Sequence, residues 1–234
     1  MSSKNKSPAI SGNDVSNFLA KVAAAPLPLD RKTKGRLVFS MDATASREAT
    51  WDHACHLQSE MFNATTRLGG LAVQLCYYRG FNEFHISPWC EEPEQLQSEM
   101  SSTRCHGGHT QIGRVLKHLV RENSQKKIQA AVFVGDAMEE NADDLCQQAG
   151  KLGVLGIPLF VFQEGKDPGV AAIFRQMANL TGGAYAPFDL SSASQLKNLL
   201  SAVAIYAAGG HRALQDLGKR SRPEINHLLR QLKD

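Results

Sequence analysis

The sequence predicts an α/β fold: a doubly wound, mostly parallel six-stranded sheet with one antiparallel edge strand and helices on both faces. Three observations predict it. Short apolar runs recur along the chain, the first at residues 36–41 and the fourth at 127–134, as expected of strands buried on both faces. Segments with helical spacing separate most of these runs, which is the pattern of a parallel sheet covered by helices. Two of the runs end in an acid, Asp42 and Asp136. Sheets of this kind bind ligands just beyond the carboxyl ends of their strands, where strand order reverses.

The elements follow in order. Residues 1–12 are rich in Ser, Lys, Asn and Gly and read as disordered. Asn13 or Asp14 caps a short helix over 15–25, which Pro26-Leu27-Pro28 ends. The first strand is 36–41. Helical spacing over 48–68 offers Trp51, Ala54, Cys55, Leu57, Met61, Phe62 and Leu68 as buried positions, and Gly69-Gly70 stop that helix. Residues 71–77 form the second strand, Arg79-Gly80 a turn, and 82–89 a third, more polar strand. So short a turn implies an antiparallel neighbour and therefore an edge strand. The acidic connection 90–107 holds a short helix at 94–100, and Thr110 opens a helix to about Arg121. The remaining strands are 127–134, 157–163 and 184–188. The remaining helices are 141–152, 170–180 and 192–208, the last rich in alanine and broken by Gly209-Gly210. The chain thus divides into an extension with a short helix (1–33), one domain (34–208) and a basic amphipathic tail (209–234).

Bulk properties narrow the function. The chain has 234 residues and 42% hydrophobic content, enough for one large core. A net charge of +3, from 26 basic and 23 acidic residues, lacks the basic excess of a nucleic-acid binder. No apolar run reaches the ~20 residues of a membrane span, and residues 1–13 hold no signal-like apolar stretch. The five cysteines, Cys55, Cys76, Cys90, Cys105 and Cys146, are odd in number and include no CxxC pair. Reduced thiols and a cytoplasmic location are the expectation.

Three polar segments carry the chemistry. Asp42-Ala43-Thr44-Ala45-Ser46 follows the first strand, Gly107-Gly108-His109-Thr110 leads into a helix, and Gly135-Asp136 follows the fourth strand. They supply two carboxylates and three hydroxyls, an all-oxygen set suited to a hard cation such as Mg²⁺. Alternate spacing at 42, 44 and 46 lets an extended loop turn all three side chains to one side. So few carboxylates leave room for one from outside. Singly, each residue has a plainer reading: Ser46 and Thr110 as helix caps, Asp136 as a turn residue. Their conjunction at strand ends is what points to a site.

The order D-x-S/T-x-S, then a Thr after a glycine-rich loop, then an Asp after an apolar strand resembles the metal-ion-dependent adhesion site of von Willebrand factor A domains, Rossmann-like in fold. The resemblance covers about residues 34–208, includes Thr181-Gly182-Gly183 and the closing helix, and is of the stand-alone bacterial type. It implies direct coordination by Thr44 and Ser46, water-mediated contacts from Asp42 and Asp136, and Thr110 joining when ligand is bound. The implied cofactor is Mg²⁺, or Mn²⁺ or Ca²⁺. The implied function is non-catalytic: a protein partner presents an Asp or Glu that completes the cation's shell, with Gly108 and His109 beside it. Partners of this type in bacteria include ATPase or chaperone-like machines, an analogy of fold alone. Thr44 stands where Ser is commoner, and Ala137 follows Asp136 in place of the usual Gly.

A rival reading takes Asp42 as the nucleophile of a haloacid dehalogenase-type phosphotransferase, with Asp136 and Glu139 or Glu140 as its magnesium motif. The second strand ends in Tyr77-Tyr78-Arg79 and lacks the phosphate-binding hydroxyl, and no cap insertion follows Ser46. Cys105-His106-Gly107-Gly108-His109 lacks a second cluster at zinc-ligand spacing. Tyr77, Tyr78 and Trp89 are expected to pack the sheet.

Overall fold

The first strand, β1 (Gly35–Asp42), is buried along its whole length, as its apolar run requires. It pairs in parallel with β2 (Leu71–Arg79) on one side and with β4 (Ala130–Gly135) on the other. The computed structural model describes residues 17, 18, 20–22, 34–47, 51, 63, 70–188 and 193–220. β3 (Glu83–Cys90) runs antiparallel to β2 at one edge. β5 (Leu159–Glu164) and β6 (Tyr185–Phe188) extend the parallel sheet at the other, giving the order β3-β2-β1-β4-β5-β6. The chain leaves β1 toward β2 and β3, then returns to β4 on the opposite side. Strand order therefore reverses between β1 and β4, at the ends that carry Asp42 and Asp136.

Alternation along the strands sorts side chains into two cores. Leu37, Phe39 and Met41 join Val132, Phe160 and Phe162 on one face, under Leu96 and Met100 of α1 (Pro93–Ser101) and Leu199, Val203 and Tyr206 of α5 (Ala193–Arg220). Phe18, Val22 and Trp51, which lie in helical segments, pack there too. On the opposite face Val38, Cys76, Tyr78, Phe133 and Val161 meet α2 (Ile112–Gln125), α3 (Ala142–Val154) and α4 (Pro168–Leu180). Asn141 caps α3 by accepting the N–H groups of Asp143 and Asp144, and Asp167 caps α4 just before Pro168. α5 is interrupted at Gly210, whose φ of 68° needs glycine.

Several boundaries differ from expectation for visible reasons. β2 continues through Arg79, and the turn falls on Gly80–Asn82, because Arg79 still pairs with Glu83 across the ladder. The fourth strand begins at Ala130, three residues late. Apart from the Gln129 N–H, which donates to the Arg36 carbonyl, side chains make the preceding contacts: Arg36 N–H donates to Gln129 Oε1, Ile128 N–H to Asn123 Oδ1, and Lys127 Nζ to the Leu155 carbonyl. α2 begins at Ile112 instead of Thr110, since Gln111 (φ −135°, ψ 42°) is not helical. Of the helix expected over 48–68, only Trp51 and Asn63 fall among the described residues, both helical. The final residues of the tail, 221–234, lie outside them. Tyr77 and Tyr78 are buried as expected. Trp89 is half-buried and carries the Arg36 guanidinium 3.9 Å above its ring, while its indole and Arg36 both donate to Glu122. Burial pushes the Arg36 guanidinium below its ordinary value and Glu122 works against this.

The first residue of β1 abuts α5 directly. A Cβ on Gly35 would overlap the Ala207 carbonyl, whereas one on Gly150, inside α3, would meet open space. Gly35→Ala is expected to destabilise by about 1–3 kcal/mol through overpacking, and Gly150→Ala to stabilise by up to about 1 kcal/mol. Urea unfolding measures both. A Gly35→Ala protein as stable as wild type would contradict this close packing.

Candidate functional site

Asp42 ends β1 with no exposed surface. A buried carboxylate is costly unless hydrogen-bonded. Its Oδ1 accepts the Thr44 N–H at 2.7 Å, an Asx-type turn within the loop. Its Oδ2 accepts the Tyr78 hydroxyl at 3.1 Å. The β1–β2 register sets Tyr78 directly opposite Asp42. A one-turn 3-10 helix, Ala45–Arg47, then lifts the chain, so Thr44 is buried while Ser46 is exposed. Their hydroxyls lie 3.3 Å apart.

Ser46 bridges to the other strand end. Its Oγ donates to Asp136 Oδ2 at 2.9 Å. The other oxygen, Asp136 Oδ1, is buried and has no hydrogen-bond partner among the described residues. Leaving a buried acceptor unsatisfied costs about 1–3 kcal/mol, more for a charged group. Asp42, Thr44, Ser46 and Asp136 thus form one connected cluster of hard oxygens, with a spare carboxylate oxygen inside it. This donor set fits a divalent cation.

Thr110 lies on the third loop, and its hydroxyl bonds elsewhere. It donates to Glu140 Oε2 at 2.8 Å and accepts the Glu139 N–H at 2.9 Å. Its own N–H donates to Glu139 Oε2 at 2.9 Å, an oxygen also 3.1 Å from His109 Nδ1. Thr110 is therefore no cap for α2; Glu140 Oε1 instead accepts the Gly113 N–H in its first turn. Three acids act on Tyr78. Burial first, then the charges of Asp42, Glu140 and Asp136, push its phenol well above the ordinary range. Glu140 is turned to Thr110 and Gly113, and no group of three or more His, Cys, Asp or Glu side chains converges as a metal cluster among the described residues. The set is two carboxylates with hydroxyls.

His109 is exposed, while Gly108 is half-buried against the β2–β3 turn. The His109 N–H donates to the Gly80 carbonyl, and a Cβ on Gly108 would overlap that same carbonyl. The β2–β3 turn is therefore clamped to the Thr110 loop. It carries Phe81, 74% exposed and edge-on to His109 at 5.2 Å. Sequence reasoning did not connect Tyr78 with Asp42 or Phe81 with His109. It met Glu139 and Glu140 only within the rival reading. The rival gains no support: a nucleophile needs an oxygen open to substrate, and Asp42 has none.

No protein-family model matches the chain, and no curated protein matches it either. Solved structures do. The VWA domain of SpRpn10 is similar over 76% of this chain and 98% of its own, at 11% identity and a TM-score of 0.55. An aerotolerance-related membrane protein from Bacteroides fragilis is similar over 69% and 95%, at 16% identity and 0.54. Proximal thread matrix protein 1 from the mussel byssus, in a form with a zinc-occupied MIDAS motif, is similar over 78% of this chain at 18% identity and 0.57, and this chain spans only 50% of it. These likenesses define the class: the fold is that of a von Willebrand factor A-type domain. Among the described residues no helix is long and apolar enough to cross a membrane.

Two tests follow from the geometry. Tyr78→Phe removes one donor to a buried carboxylate and is expected to cost about 1.5–3 kcal/mol in urea unfolding; an unchanged stability would contradict the bond. The Thr110 N–H, and then His109, hold Glu139 below the ordinary 4.5. A depressed carboxylate contributes stability above its unfolded value and loses it as pH falls through the folded one. Wild type should exceed Glu139→Gln in stability above about pH 4.5, with the gap closing in more acidic solution. A gap that widened with acid would contradict the assignment.

Proposed function

We propose that this chain is a metal-dependent protein-binding domain in which Asp42, Thr44, Ser46, Thr110 and Asp136 hold one divalent cation, Mg²⁺ or else Mn²⁺ or Ca²⁺. When bound, the ion would supply an open Lewis-acid position for a carboxylate oxygen of a partner's Asp or Glu. The observation that carries this reading is the Ser46–Asp136 bond joining the ends of β1 and β4, with the buried Asp136 Oδ1 left unsatisfied beside it.

The chain's own groups have distinct tasks. Asp42 supplies negative charge from beneath, its rotamer held by the Thr44 N–H and the Tyr78 hydroxyl. Thr44 and Ser46 offer neutral oxygens at rising exposure toward solvent. Two carboxylates only match a dication's charge, so an outside carboxylate is accepted without crowding of like charge. Gly108, His109 and the exposed Phe81 line the approach and would meet the partner. A partner from an ATPase or chaperone-like machine is suggested by fold analogy alone. We assign the chain no catalysis: Asp42, the nucleophile of the rival reading, is buried and engaged by the Thr44 N–H and the Tyr78 hydroxyl. The zinc-occupied MIDAS motif of the mussel protein, which is similar to this chain in fold, supports the reading.

Calorimetric titration with Mg²⁺, Mn²⁺ and Ca²⁺ tests it. Wild type is expected to bind one ion, and Asp42→Ala to lose binding. Ser46→Ala should weaken binding, and because it also removes the hydrogen bond to Asp136 its effect on the metal-free protein is measured alongside by urea unfolding. At 100 times Kd the ion should add about 2.7 kcal/mol of stability. Wild type that binds none of the three overturns the proposal.

A further inference from the structure

Two glutamates lie beside the cluster that none of the five proposed ligands requires. Glu139 and Glu140 follow Asp136 on the loop after β4 and reach across to the loop before α2. Glu140 is the more telling. One oxygen takes the Gly113 N–H, the other takes the Thr110 hydroxyl, both at 2.8 Å.

The hydrogen bonds of Thr110 Oγ1 can be counted. A threonine hydroxyl has one proton and two lone pairs. The proton goes to Glu140, and one lone pair accepts the Glu139 N–H at 2.9 Å. One lone pair is left. A hydroxyl that gives its proton to a carboxylate is locked in rotation and is a better electron donor through the lone pair that remains. Carboxylates behind metal-bound groups act in this way. Helix capping alone accounts for the Gly113 bond, but it does not call for the second oxygen to hold Thr110.

We propose that Glu140 is a positioning residue for the cation site, acting through Thr110: it orients the Thr110 hydroxyl so that its free lone pair serves the ion, and does not bind the ion itself. This rests on the cation-binding reading given above. In Glu140→Gln an amide keeping the Gly113 bond turns its N–H toward Thr110 Oγ1. The hydroxyl then spends a lone pair on that N–H and its proton points away from Glu140.

The test is a double-mutant cycle on the full chain, with Mn²⁺ binding followed by water proton relaxation into the millimolar range and the unfolding temperature of the metal-free protein measured in parallel. Glu140→Gln is expected to weaken Mn²⁺ binding about 10- to 100-fold, and to have little further effect in a Thr110→Ala background. Glu139→Gln, which leaves the Glu139 N–H in place, should change affinity much less. If Glu140→Gln lowers the metal-free unfolding temperature but leaves Mn²⁺ affinity within twofold, Glu140 is only a helix cap and the proposal fails. An equal loss of affinity with and without the Thr110 hydroxyl also overturns it. Wild type that binds no Mn²⁺ removes the parent reading as well, a result distinct from the other two.

Discussion

The structure turns on one buried charge. Asp42 stands where a fully buried central strand ends, between two parallel neighbours and out of contact with water. Such a group survives only where the fold supplies hydrogen bonds to it. Its bonds include two of different origin: the Thr44 N–H is local, and the Tyr78 hydroxyl arrives through the β1–β2 register. A slip of one residue in that pairing would turn Tyr78 to the other face of the sheet. The packing of β1 and β2 and the state of the site are therefore one problem.

The same strand order opens the site. β1 and β4 are neighbours in the sheet but far apart in the chain, so the loops leaving them diverge in opposite senses along the sheet. Ser46 and Asp136 meet in the space between. The third loop is held by Glu139 and Glu140 from one side and by the Gly80 turn from the other. Groups held in this way before binding lose little entropy when a ligand arrives. The cluster is buried at its base, at Asp42 and Tyr78, while Ser46, His109 and Phe81 are exposed.

Legibility in the sequence followed the range of the interactions. Strands buried on both faces show as apolar runs, so β1, β2, β4 and β5 were readable, and the acids closing β1 and β4 could be singled out by position. The antiparallel edge followed from the short connection at Gly80. Tyr78 was read only as a packing residue, because its bond to Asp42 depends on strand register, which no local pattern encodes. Glu139 and Glu140 were singled out only as a magnesium motif in the rival reading; their contacts with Thr110 and Gly113 span 27 to 30 residues and exist only after β4 docks beside β1. The starts of α2 and β4 were misjudged for a related reason. Side-chain bonds from Glu140, Gln129 and Asn123 do the work that backbone patterns would otherwise announce.

The central claim is that the oxygens joining the ends of β1 and β4 seat one divalent cation. Anomalous diffraction from crystals grown with Mn²⁺ addresses it most directly. A single strong anomalous peak is expected within bonding distance of Ser46 Oγ and facing Asp136, absent from Asp42→Ala crystals grown alike. No peak there, or a peak held by other residues with Ser46 and Asp136 still bonded to each other as in the metal-free protein, would contradict it.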